Sequence, residues 1–467
     1  MSNTRTQAYA GRERDLVTRP VPELVRMIAV PASIGYFFHT MYNVADTYFA
    51  GMVSTDAIAA LSLSFPVYFM ILAVGNGLSV GNTALIGNAL GEDRHEEARL
   101  YAAQGVSFAL ITSAVLAAGG RLAAPSLFRL LGAEDRYLDI CMEYITPLLA
   151  GVCFFLLLYM FNSVLQAQGD TRTYRNFLIG SCLANLVLDP WFVFGGLGVP
   201  AMGVFGIALA TVILIACGAA YLGWRATRTG VIGRDFFKLA VPRPKHFKDI
   251  AYQGFPAGMN MMTIALGIFV ITYFVSDFGK EAVAAYGIGT RAVQIVLLPS
   301  IGLSISVLTI TAQNNGAGLF ERIFETMRKT MKYGAFIMAA GMALVLVFAR
   351  PLIGMFTDDP RVVDMGAVYL RIESIALYGY VILSVHVSAL QGVKKPMFAV
   401  WIGLIRQIAA PMLVFWILTR VLDLGVEAIW WGIVAIVWTA AVTAIIYARK
   451  IIARAAEQTR ATRQSRI

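Results

Sequence analysis

Residues 429–447, IWWGIVAIVWTAAVTAIIY, run for nineteen positions without a charged side chain. A helix rises about 1.5 Å per residue and the hydrocarbon core of a bilayer is about 30 Å thick, so roughly 20 apolar residues are what a crossing requires. Residues 334–348, GAFIMAAGMALVLVF, show the same pattern earlier in the chain. Neither stretch alternates apolar with polar at the two-residue period of a barrel strand, so both read as helices. Composition extends the reading to the whole chain. Of 467 residues, 58% are hydrophobic and 14% charged, against about a quarter charged in soluble domains. Inside a bilayer the backbone must bond to itself, and helices do so within one segment.

Breaks marked by charge, Gly and Pro divide the chain into twelve predicted helices, at 22–52, 56–89, 98–122, 137–166, 174–195, 203–226, 248–277, 281–314, 322–349, 362–390, 397–419 and 426–450. They imply an all-α membrane protein: an N-tail 1–21, a first lobe 22–226, a linker 227–247, a second lobe 248–450 and a C-tail 451–467. The polar, Arg-bearing start and the length of the first apolar segment do not fit a signal peptide, so the N-terminus is expected to be retained. With both termini inside, the inner segments hold 27 Lys/Arg and the outer loops 7, the bias expected of a multi-pass protein of the cell (inner) membrane. That bias accounts for the net charge of +10 without a nucleic-acid partner. Cys141, Cys153, Cys182 and Cys217 lack metal-ligand spacing and read as free thiols.

The chain repeats itself. Adding 225 to a residue number carries Pro31-Ala32 to Pro256-Ala257, Thr47-Tyr48-Phe49 to Thr272-Tyr273-Phe274, Gly77-Leu78-Ser79 to Gly302-Leu303-Ser304, Tyr144 to Tyr369 and Leu165-Gln166 to Leu390-Gln391. An offset of 221 then aligns Pro190 with Pro411. Each repeat holds six spans, so the copies share one orientation and form two pseudo-symmetric six-helix lobes, the plan of an alternating-access carrier. A channel would more commonly build its pore by oligomerisation, and no nucleophile motif, metal cluster or phosphate-binding loop suggests an enzyme.

Charged groups inside the hydrocarbon are costly, so those that persist are functional candidates. On helix 1, His39, Tyr42, Asn43 and Asp46 recur at three- and four-residue spacing and share a stripe. On helix 5, Asn185 and Asp189 are four apart. If the two helices adjoin, Asp46 and Asp189 cannot both stay ionised at small cost: one must hold a proton, or a cation must lie between them. Their repeat mates are Ile271 and Ala410, so the cation site is predicted to be single and confined to the first lobe. In the second half Arg291, Arg371, Glu373, His386 and Arg406 are the polar candidates, with Glu373 expected to pair with Arg291 or Arg371.

PASIGYFFHTMYNVADTYFAG at 31–51, NLVLDP at 185–190, LQAQGD at 165–170 and LQGVKKP at 390–396, set on a doubled six-helix repeat, resemble the multidrug and toxic compound extrusion (MATE) family over nearly the whole chain. The acids on helices 1 and 5 are most similar to its DinF-like branch. The resemblance implies secondary active multidrug efflux by H⁺ or Na⁺ antiport, with Asp46, Asn185, Asp189 and Thr211 as the cation site. It adds His39, Tyr42, Tyr144 and Asn162 as polar support, Pro31 as the bend of helix 1, and Arg291 and Glu373 as second-lobe candidates. It implies small organic, cationic or amphipathic substrates, a monomer in the lipid bilayer and no cofactor beyond the coupling ion. A lipid-linked oligosaccharide flippase of the same superfamily is the alternative.

Overall fold

The computed structural model describes residues 15–464 apart from 197 and 234; the predicted N-tail through residue 14 and the last three residues of the predicted C-tail lie outside the described residues. The fold is helical. The spans are α1 (Val21–Val53), α2 (Thr55–Gly91), α3 (His95–Leu130), α4 (Asp135–Ala150 with Val152–Ala167), α5 (Arg172–Phe194), α6 (Gly203–Thr227), α7 (Pro244–Ser276), α8 (Lys280–Gly316), α9 (Phe320–Gly354), α10 (Pro360–Gly392), α11 (Phe398–Val421) and α12 (Val426–Gln464). Eleven are long and apolar enough to cross a membrane, and α4 is a twelfth span bent by 46°.

Three predicted helices are less regular than their apolar patterns suggest. The two halves of α4 meet at Gly151, one turn after Pro147; a missing N–H and a missing Cβ together permit the bend. In α10, residues Ser374–Ala376 tighten into a 3₁₀ turn where the Ser374 hydroxyl donates to the Arg371 carbonyl at 2.7 Å. In α11, Ile405–Ala409 and Ile417–Val421 widen into π-helix. The last helix also runs well past residue 450, because its continuation is rich in Ala, Arg and Gln and contains no Gly or Pro.

The described chain falls into two compact units. The first takes Ile34–Gly258; the second takes Leu16–Ser33 and Met259–Ile467. Each unit has its own apolar core. That of the first gathers Phe128, Ile145, Leu156, Met160 and Ile250, and that of the second gathers Leu24, Ile28, Leu370, Phe415 and Trp430. The boundaries therefore fall inside α1 and α7, whereas the sequence placed them at residue 22 and in the linker 227–247. The α1 boundary falls two residues after Pro31 and the α7 boundary two residues after Pro256, and these two prolines are repeat mates. Each proline lacks the N–H that would bond the carbonyl four residues back, so each helix is weakest just there.

The packing inside the units also repeats. In the first, a Cβ on Gly77 would stand 2.7 Å from the Gly254 carbonyl oxygen. In the second, a Cβ on its mate Gly302 would collide with the Ala29 carbonyl oxygen. Glycine is required at both because the opposing atoms are backbone and cannot turn away. Within the first unit, the segment before α7 is pinned to α3: Gln104 donates to the carbonyls of Leu239 and Val241 at 2.5 and 2.7 Å and accepts from the Arg243 N–H at 2.8 Å.

Gly77→Val and Gly302→Val are each expected to destabilise the protein by about 1–3 kcal/mol or more, the cost of overpacking a close contact. Thermal unfolding of the purified protein in detergent checks this, with Gly119→Val as the control at a site that has no neighbour within 4 Å.

Candidate functional site

Four helices of the first unit bring the predicted cation-site residues together. α1 supplies Tyr42 and Asp46, α5 supplies Asn185 and Asp189 one turn apart, and α6 supplies Thr211. Tyr144 comes from α4. All are removed from solvent: Asp46 is 7% exposed, Thr211 3%, and Asn185 and Asp189 are 0%.

Their hydrogen bonds form two short chains. Asn185 donates from Nδ2 to Asp46 Oδ1 at 3.0 Å. Tyr42 donates its hydroxyl to Thr211 Oγ1 at 2.9 Å, and the Thr211 hydroxyl in turn donates a hydrogen bond to the Ile207 carbonyl at 3.1 Å. Asp46 also interacts with Asp189 and Thr211, which closes the cluster. Both carboxylate oxygens of Asp189 and Oδ1 of Asn185 are buried and have no hydrogen-bond partner among the described residues.

Those three oxygens decide what the cluster can do. All are acceptors, and a buried acceptor without a donor loses the stabilisation it had in water, a deficit of about 1–3 kcal/mol and more for a charged group. A proton on one acid, or a hard cation among carboxylate, amide and hydroxyl oxygens, supplies what is missing. The donor set fits either.

The remaining candidates divide. His39 is half-buried and meets the Tyr36 ring edge-on at a centroid distance of 6.2 Å, one turn or more from the acids along α1. Asn43, on the same stripe, turns back to donate to the His39 carbonyl at 2.8 Å. Asn162 is buried in the second half of α4. Pro31 belongs to the other unit. Arg291 is exposed.

Glu373 corrects an expectation. Among the described residues it pairs with neither Arg291 nor Arg371; it accepts from the Tyr380 hydroxyl at 2.8 Å, and its neighbouring guanidinium is that of Arg406. Arg371 is exposed, because it lies on the opposite side of α10 from Glu373, two positions away on a helix.

A set of tyrosines went unnoticed in the sequence. Tyr68 on α2 lies near Asp46 and Tyr144. Tyr159 and Tyr174 lie within electrostatic range of Tyr68, of Tyr36 and of one another, and all four are half-buried in the first unit. They come from four different helices, so no single-helix stripe marks them.

A family model described as MatE matches residues 31–191 and again 256–416, two segments set apart by the same 225 residues as the internal repeat. The chain belongs to the MATE family. It is a multi-pass membrane transporter and not an enzyme. Among similar proteins, one named FAD transporter, from Shewanella oneidensis, is 27% identical over 84% of this chain and 86% of its own length. One named probable multidrug resistance protein NorM, from Thermotoga maritima, is 26% identical over 91% and 92%. A solved structure described as MATE in the straight conformation superposes with a TM-score of 0.88 at 23% identity, covering 95% of this chain and 98% of its own. Family and fold thus agree over nearly the whole length.

Asn185→Ala, which strips Asp46 Oδ1 of its donor, is expected to lower stability by about 1–3 kcal/mol. Asn43→Ala, which breaks only a bond to its own helix, is expected to cost well under 1 kcal/mol. Comparing their thermal unfolding in detergent checks the assignment.

Proposed function

We propose that this MATE-family transporter expels small organic compounds, cationic or amphipathic, in exchange for H⁺ or Na⁺ taken up at Asp46, Asn185, Asp189 and Thr211. The observation that carries the reading is the trio of buried, unpartnered acceptor oxygens on Asp189 and Asn185. Such a group is stable only with a proton or cation added, so its charge state can change with the ion gradient, and a change of charge can bias one conformation over another. The relatives named for multidrug resistance and export support the substrate class.

The cycle follows from the site's chemistry. Ion entry from outside neutralises the acid pair and removes their mutual repulsion; α1 adjusts at Pro31, where one backbone hydrogen bond is already missing; the bound compound is released outward; and the ion leaves inward. The protein works as a monomer in the cell's inner membrane with both termini in the cytoplasm, the orientation that places its Lys/Arg-rich segments inside. His39 and Asn162 line the polar face without holding the ion. Tyr36, Tyr68, Tyr159 and Tyr174 offer aromatic faces and hydroxyls to a ring-bearing compound.

A second reading, export of a flavin nucleotide, is favoured by the relative named FAD transporter and by the same tyrosines, whose rings suit a flat heteroaromatic. Its phosphates would be repelled by ionised acids, so this reading requires the acid pair to be neutral while the compound is bound.

In proteoliposomes with separately imposed pH and sodium gradients, a cationic dye is expected to be driven out by one gradient and not the other. Asp46→Asn and Asp189→Asn proteins that fold and insert are expected to lose ion-driven transport to the level of empty vesicles. Undiminished ion-driven efflux in both would sink the proposal. Competition by FAD against the dye decides between the two substrate readings.

A further inference from the structure

The second unit contains a buried acid that the cation site does not use. Glu373 is 2% exposed and stands where the first stretch of α10 gives way to the 3₁₀ turn. Tyr380, two turns further along, donates its hydroxyl to Oε1 at 2.8 Å, while Oε2 is buried and has no hydrogen-bond partner. The same tyrosine presents its ring to Arg406, whose guanidinium carbon is 5.6 Å from the ring centre. Tyr380 thus touches the acid with its hydroxyl and the base with its face. Arg406 is in turn within electrostatic range of Glu373, and its Nε is buried with no hydrogen-bond partner.

The other titratable groups around Glu373 are Tyr286 on α8 and Tyr369 on α10. Both are phenols and neutral at physiological pH. Arg406 is therefore the single cation among the groups that interact with Glu373 in the described residues. It sits in the π-helical stretch Ile405–Ala409, a local widening that recurs at functional positions in helices.

The internal repeat gives this arrangement a counterpart. Subtracting 221 takes Arg406 to Asn185 and Ala410 to Asp189; subtracting 225 takes Tyr369 to Tyr144. The equivalent positions in the first unit border two acids whose unsatisfied oxygens call for a cation from solution. In the second unit one acid remains, displaced to α10, and the position equivalent to Asn185 bears a guanidinium.

We propose that Arg406 is a tethered counter-cation, supplying the second unit permanently with the positive charge that the first unit takes up transiently, so that ion coupling is confined to the first unit. Oε2 of Glu373, like the oxygens of Asp189, has no donor among the described residues, but Glu373 shares Tyr380 with a fixed guanidinium, a counter-charge that lessens its need for an ion from outside. The proposal rests on the coupling role given above to Asp46 and Asp189, since it assigns the second unit the opposite behaviour.

The test is the number of protons bound by the purified full-length protein, titrated through the neutral range in detergent. Arg406→Gln is expected to bind one proton more than wild type, because Glu373 has lost its counter-charge. Arg406→Lys, which keeps the charge, and the pair variant Glu373→Gln/Arg406→Gln, which removes both, are expected to match wild type. The surplus is expected to persist when Asp46 and Asp189 are also changed to Asn. Failure of the coupling reading is seen separately, as proton and sodium binding that those two substitutions leave untouched. A wild-type proton count in Arg406→Gln overturns the proposal, as does a surplus that survives in the pair variant. If Arg406→Gln fails to fold while the pair variant folds, the uncompensated acid is the cause, as proposed; if both fail, Arg406 has another role and the proposal falls.

Discussion

Two carboxylates buried side by side in the first unit, one of them with no donor to either oxygen, are the constraint around which this protein is arranged. Desolvation makes a bare buried charge too costly to keep, and repulsion makes two of them worse. The surrounding helices answer only part of the need. Asn185 satisfies one oxygen of Asp46, and Tyr42 holds Thr211 in place, but among the described residues no donor lies within hydrogen-bond geometry of either oxygen of Asp189.

The second unit shows the same backbone plan with a different polar content. Gly77 and Gly302 serve equivalent close contacts, and Pro31 and Pro256 stand at equivalent distances from the places where one helix passes from unit to unit. Packing has thus been kept in both copies, because a Cβ at either glycine would meet backbone. The acids have not been kept. Ile271 and Ala410 replace Asp46 and Asp189, and the charge that remains is a Glu373 held beside Tyr380 and Arg406. Backbone geometry is shared by the copies while their buried charged residues differ.

The family match and the fold match describe a transporter, and the first unit adds detail to that description. Its half-buried tyrosines come from α1, α2, α4 and α5 and approach the acid pair through Tyr68. Phenol rings give flat apolar faces with a polar end, a surface that accepts many ring-bearing molecules without demanding one.

Sequence alone determined the class of fold, the number of spans, the internal repeat, and the two acids that the first unit buries together. Each of these is written in local or periodic terms: uncharged runs of bilayer length, a constant 225-residue offset, and carboxylates in segments that otherwise exclude charge. Tertiary structure decided the rest. Asn43 shares a stripe with Asp46 yet bonds its own helix, and Tyr68 carries no periodic mark yet reaches the site, because which neighbour a side chain meets depends on helices far away in the chain. Glu373 drew two arginines as expected partners on grounds of type and helix; the one beside it is a third, in a π-helical stretch that no apolar pattern reveals. The division of α1 and α7 between the units was likewise illegible, since a helix is recorded in the sequence as one continuous pattern, whereas the core each half joins is set by packing across the fold.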